Sequence, residues 1–179
     1  ENSLLRRSFI AELEAGNLDH AIRLAERALK QKKTSIFMHL VIGLRDAKEG
    51  SWDKALGNFT KMESSQVNEI LKPLLLGWSY LGKKDLPKAR QNLLSLKKRR
   101  GFELLSLLHT ALALQDQEKI PVVDKLLDEA IGSVEETPSR LALTAANHYQ
   151  KTGRTDTAIN LIDKIKSKDF NLEILKGRR

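Results

Sequence analysis

The stretch LLLGWSYLGKKDLPKA, residues 74–89, can be read either as chemistry or as architecture. Gly77-Trp78-Ser79-Tyr80-Leu81 is one residue away from a G-x-S-x-G nucleophile elbow, and Gly82-Lys83-Lys84 comes close to the G-K-[ST] end of a phosphate-binding loop. Both chemical readings fail on residue type. The elbow needs glycine where Leu81 stands, and the phosphate loop needs Ser or Thr, to hold magnesium, where Lys84 stands. A structural brick, by contrast, recurs at a fixed interval.

Working outward from this stretch, the interval is there. Ala21, Ala55, Ala89 and Val123 are each 34 residues apart, as are Leu18, Trp52, Leu86 and Ile120. The same step links Ala25, Phe59, Leu93 and Leu127, then Ala28, Met62, Leu96 and Ala130, and earlier in the unit Gly43, Gly77 and Ala111. A fifth unit fits at Ala146, Tyr149, Ala158, Ile162 and Ile165, with the step lengthened to 35 by one residue in the connector GSVEETPS. Within a unit the marked positions lie three and four residues apart, the spacing of one stripe on a helix.

The turns between helices are legible too. Gly16-Asn17, Gly50-Ser51, Gly82-Lys83-Lys84-Asp85 and Gly153-Arg154 are expected to end first helices on a residue that tolerates left-handed geometry. Pro87 and Pro121 sit near the first turn of a second helix, where a missing N–H costs nothing. The pattern predicts ten helices, over 3–15, 18–32, 35–49, 52–63, 69–82, 86–99, 102–116, 120–133, 138–152 and 155–167, with Phe170 to Leu175 as the start of an eleventh.

Leu76-Gly77-x-x-Tyr80, Gly16-Asn17-Leu18-x-x-Ala21 and Trp52-x-x-Ala55-x3-Phe59 resemble the tetratricopeptide repeat (TPR), a 34-residue helix-turn-helix unit. Departures are His39 and Pro73, where the family often has Trp or Asn, and Glu12 and Asp46, where it often has Tyr. LLRRSFIAELEAGNLDHA and VNEILKPLLLGWSYLG are also similar to large bacterial TPR proteins of unassigned activity. The resemblance implies an all-α fold, a right-handed α-solenoid of about five repeats over residues 2–33, 35–67, 69–100, 102–135 and 138–168, in a single domain spanning 1–179. A further helix would begin over 169–176. The start ENSLLRR, without Met, reads as internal to a longer chain.

In this family the first helices line a concave groove. The register implies groove positions at Ser3, Arg6 and Ile10, then Phe37, Leu40 and Leu44, Leu71, Leu74 and Trp78, Leu105, Leu108 and Leu112, and finally Arg140, Leu143 and Asn147. The middle nine are apolar, so a clamp for an acidic tail, as some TPR domains have, is not expected from them. Three occupants remain open: coverage by neighbouring helices or a further segment of the chain, an amphipathic helix or apolar peptide from a partner, or a second copy.

The bulk composition narrows the functional classes. Without Cys, thiol catalysis, disulfides and cysteine-ligated metal are excluded. Lys and Arg outnumber Asp and Glu by 31 to 23, with both signs scattered along the chain, so nucleic acid is not the expected partner. No apolar run approaches the roughly 18 residues that cross a bilayer, and both the cytoplasm and a bacterial envelope stay open as compartments. His20, His39, His109 and His148 show no i, i+4 metal spacing and read as surface or core-edge residues. Asp124 and Asp128 read as a solvated face, and Lys97-Lys98-Arg99-Arg100 as cations at a helix C-terminus. No cofactor or metal is implied and no nucleophile–base pair can be assembled. The expectation is a non-catalytic protein-interaction scaffold. The alternative is an RNA-binding module of the pentatricopeptide kind, which has a 35-residue period and polar groove residues.

Overall fold

The computed structural model describes residues 2–31, 35–63, 65, 67–117 and 119–164, with the side chains of residues 2, 3 and 164 excepted. Among the described residues the α-helices are α1 (Asn2–Glu14), α2 (Leu18–Lys30), α3 (Ile36–Lys48), α4 (Trp52–Thr60), α5 (Asn68–Gly82), α6 (Leu86–Ser95), α7 (Glu103–Leu114), α8 (Ile120–Gly132), α9 (Ser139–Lys151) and α10 (Thr155–Lys164). A 3-10 turn, Leu96–Lys98, continues α6. Each corresponds to a predicted helix, and no strand occurs among the described residues. The eleventh helix, Ile165, the predicted end of the last helix and the predicted last residue of the helix over 18–32 lie outside the described residues. The fold is all-α, and consecutive helices pack as hairpins: α1 on α2, α3 on α4, α7 on α8 and α9 on α10.

The chain divides into two compact units, Glu1–Asn92 and Leu93–Arg179. In the first, α2 places Ala21, Ala25 and Ala28 on one stripe. These small side chains let the neighbouring helices approach, and Phe9, Met38 and Ile42 pack against them. Ala55, Phe59 and Met62 repeat the arrangement one hairpin later, with Leu40, Leu71, Leu75 and Leu76 around them. Gly43 is obligatory for that packing, since a Cβ there would lie 2.4 Å from Phe59 Cε1. In the second unit, Leu107, Ala111 and Leu114 of α7 are buried, as are Val123, Leu127 and Ala130 of α8 and Leu141, Ala142, Ala145 and Tyr149 of α9. Ser106 donates its hydroxyl to Leu93 O at 2.8 Å, and Thr110 donates to Ser106 O at 2.7 Å, so these buried hydroxyls are satisfied.

Four first helices end in the same way. Asn17 N donates to Glu12 O at 2.8 Å, Ser51 N to Asp46 O at 2.8 Å, Asp85 N to Tyr80 O at 2.9 Å and Arg154 N to Tyr149 O at 2.8 Å. This is the six-residue closure of a Schellman turn, and the residue before each donor must be left-handed. That residue is Gly16, Gly50 and Gly153 in three turns, and Lys84, at φ 62°, in the other. The sequence reading of Gly82 as the left-handed residue is therefore corrected. Gly82 is the last residue of α5, and its role is clearance: a Cβ there would lie 2.3 Å from Trp52 Cε2.

Candidate functional site

The first helices carry side chains at i, i+3 or i+4 and i+7 along one stripe, so each register position recurs from one hairpin to the next. Three positions in one such column are open in the first unit. Ile10 on α1 is 36% exposed, Leu44 on α3 47% and Trp78 on α5 36%, with Phe37 on α3 57% exposed beside that column. Leu40 and Leu71 are half-buried and pack against the Ala55–Phe59–Met62 cluster, and Leu74 is half-buried as well. In the second unit, Leu105 and Leu112 of α7 are half-buried and Leu108 is only 8% exposed. Of α9, Arg140 and Asn147 are exposed and Leu143 is half-buried. Of the nine apolar positions named from the sequence, Phe37, Leu44 and Trp78 are thus the ones that face solvent.

Around this face the hairpins are locked by polar clusters that spacing alone does not reveal. Asp46, 3% exposed, accepts from Arg45 Nη2 at 2.8 Å and from Asn58 Nδ2 at 3.1 Å. His39 Nδ1 donates to Asn58 Oδ1 at 3.1 Å, and Arg45 Nη1 donates to Glu26 at 2.6 Å, which ties α2, α3 and α4 together. The bond to Glu26, followed by that to Asp46, raises the Arg45 pKa above its ordinary value. Lys72 of α5 donates to Thr60 O at 2.7 Å and Met62 O at 3.0 Å, satisfying carbonyls at the end of α4.

The second unit has a counterpart cluster that corrects one reading from the sequence and narrows another. Asp124 accepts from His148 Nε2 at 2.7 Å and also pairs with Arg154, while Tyr149 donates its hydroxyl to Asp128 at 2.8 Å. These carboxylates therefore bind the next hairpin and do not form a merely solvated face. His148 is buried, as is His39, so of the two places expected for them, surface or core edge, the surface is excluded. Their partners lie 24 and 19 residues away, beyond the i, i+4 test that a metal site suggests. Arg154 also covers the Tyr149 ring at 4.5 Å. Burial, then the bond to Asp128, pushes the Tyr149 hydroxyl well above the usual phenol range. Lys97 pairs with Glu129 of α8, so the basic run contributes an ion pair between the second helices of successive hairpins in addition to helix-end charge. Among the described residues no group of three or more His, Asp or Glu could hold a metal ion. No described helix is long and apolar enough to cross a membrane.

No protein-family model matches the chain, and no curated protein matches it in sequence. Solved structures do match in shape. A thermophilic TPR protein of Thermus thermophilus is 21% identical, with a TM-score of 0.62 over 98% of this chain and 96% of that one. MamA from AMB-1 is 16% identical, with a TM-score of 0.63 over 97% of both chains. The TPR-like repeats of a kinesin light chain from Podospora anserina are 16% identical, with a TM-score of 0.64 over 99% and 95%. At these identities the likeness establishes the fold, and that fold is the helical-hairpin repeat of TPR proteins.

Proposed function

We propose that the chain is a non-catalytic protein-interaction scaffold that captures an apolar or amphipathic helix on its first-helix face. The observation that carries this reading is the exposure of Ile10, Leu44 and Trp78 at one register position of three successive first helices, with Phe37 beside them. Large apolar side chains repeated at one place are the signature of a helix-in-groove site, where a partner helix supplies anchors at i, i+3 or i+4 and i+7. Phe37, Leu44 and Trp78 would be the anchoring pockets' walls, with the half-buried Leu40, Leu71 and Leu74 as their floor. Leu105, Leu108 and Leu112 belong to the same register in the second unit, where they contribute packing.

The test uses peptides that form an amphipathic helix with a leucine stripe, measured by fluorescence anisotropy against the wild-type chain and the Leu44→Lys and Trp78→Lys variants. The expected result is a loss of affinity of at least tenfold in each variant, with far-ultraviolet circular dichroism unchanged. Wild-type affinity in both variants would remove the reading, and a collapse of helicity in both would reassign the two side chains to the core. A separate titration with RNA addresses the pentatricopeptide-like alternative: binding lost in the same two variants would favour it.

A further inference from the structure

Charges that are scattered along the sequence become sorted once the fold pairs some of them off. In the first unit, α2 carries Arg23, Arg27 and Lys30 at i, i+4 and i+7, on one exposed stripe. Lys54 and Lys61 are exposed on α4 and just past its end, at positions seven residues apart, and Lys61 occupies the register position of Arg27. None of these five cations has a side-chain hydrogen bond or ion pair among the described residues. The acids of the same two helices are mostly consumed. Glu26 is held by Arg45 and Asp53 by Lys83, which leaves Asp19 as the uncompensated carboxylate of α2 and Glu63, exposed two residues after Lys61, as that of the α4 end. The alanine face of α2, Ala21, Ala25 and Ala28, is buried, and the three cations of α2 lie on its exposed side, away from Leu18 at its start.

We infer that these second-helix cations of the first unit, Arg23, Arg27, Lys30, Lys54 and Lys61, bind nucleic acid through its phosphates without reading its sequence. The chemistry of the stripe selects among polyanions. A protein interface needs an apolar or aromatic centre, and Lys is depleted from such centres. The exposed positions between the cations are Gly57 and Thr60 on α4, while Glu26 on α2 is half-buried and already paired, so no such centre exists. Peripheral insertion into a bilayer needs an apolar face at the surface, and the one on α2 is used inside the fold. Phosphates need only fixed cations and released counterions. With no aromatic side chain on the stripe, bases gain no stacking platform, so composition should matter little.

The test is a salt titration of an oligouridylate of about 20 nucleotides, together with an oligodeoxythymidylate of equal length. Five cation–phosphate contacts predict a log–log slope near −3.5, so affinity falls about 100-fold between 50 and 200 mM salt, equally for both oligomers. Arg27→Glu with Lys61→Glu should reduce affinity at least tenfold at low salt, and Arg27→Gln with Lys61→Gln by less. Leu44→Ser, on the first-helix face, should leave it unchanged. Circular dichroism confirms that these exposed substitutions retain helicity. A slope near zero, wild-type affinity in the double glutamate variant, or equal loss in Leu44→Ser would overturn the assignment. So would binding to vesicles of phosphatidylserine and phosphatidylcholine in the absence of oligomer binding.

Discussion

Leu44 and Leu112 occupy the same register position on two first helices, yet Leu44 is 47% exposed while Leu112 is half-buried beside the almost fully covered Leu108. The periodicity that places both residues is identical, so register fixes the direction of a side chain and leaves its coverage to the neighbours. The helices themselves differ. α3 carries Arg45, Lys48 and Asp46 among its apolar residues, whereas α7, ELLSLLHTALAL, has a single charged side chain in twelve residues. A helix apolar on most sides is a buried helix, and one with a mixed surface leaves a stripe for solvent. The open column of the first unit is therefore a candidate for binding, and the corresponding column of the second unit is a candidate for stability.

The largest expected effect tests that division. Leu108→Ala should destabilise the chain by about 2–5 kcal/mol, the cost of a cavity at a buried leucine. Leu44→Ala should stay within about 1 kcal/mol, as for exposed positions generally. Urea denaturation followed by circular dichroism measures both. Equal losses would erase the distinction between the two faces, and a large loss at Leu44 alone would invert it.

A smaller effect, roughly 1–3 kcal/mol, is expected from Gly82→Ala, because the added methyl meets the Trp52 ring and overpacks the junction of α4 and α5. Trp78 lies one turn before Gly82, on the same side of α5. Thermal unfolding of Gly82→Ala, and of the same change combined with Trp52→Leu, separates the causes. The smaller side chain should recover part of the loss. If it recovers none, the glycine is needed for another reason.

The fold was legible because it is periodic. Ala21, Ala55, Ala89 and Val123 mark the second helices, and Gly16, Gly50 and Gly153 mark turns whose left-handed backbone favours glycine. The polar clusters were not legible, since His148 with Asp124 and His39 with Asn58 join residues of different helices at separations no local pattern singles out. For the candidate face, the sequence located the column containing Leu44 and Trp78 but not its exposure, which depends on packing around each helix. His109 shows the same dependence: burial, then the nearby Arg140, lowers its pKa, a consequence of α7 being covered that the residue type does not carry.

The smallest effect concerns the turn where sequence habit and register disagree. Glycine stands at 82, but the step of 34 from Gly16 and Gly50 lands on Lys84, and it is Lys84 that takes the left-handed conformation, at φ 62°. An L side chain there costs about 1 kcal/mol relative to glycine, while glycine gives up some of that gain through the greater freedom of the unfolded chain. Lys84→Gly should therefore stabilise the chain by up to about 0.5–1 kcal/mol, and Gly50→Ala, the reverse change at the equivalent turn, should destabilise it by a similar amount. Paired urea titrations read the two signs. Opposite signs would confirm that one turn geometry serves both hairpins, whereas a loss on Lys84→Gly would mean that contacts of the lysine side chain outweigh the backbone strain at that turn.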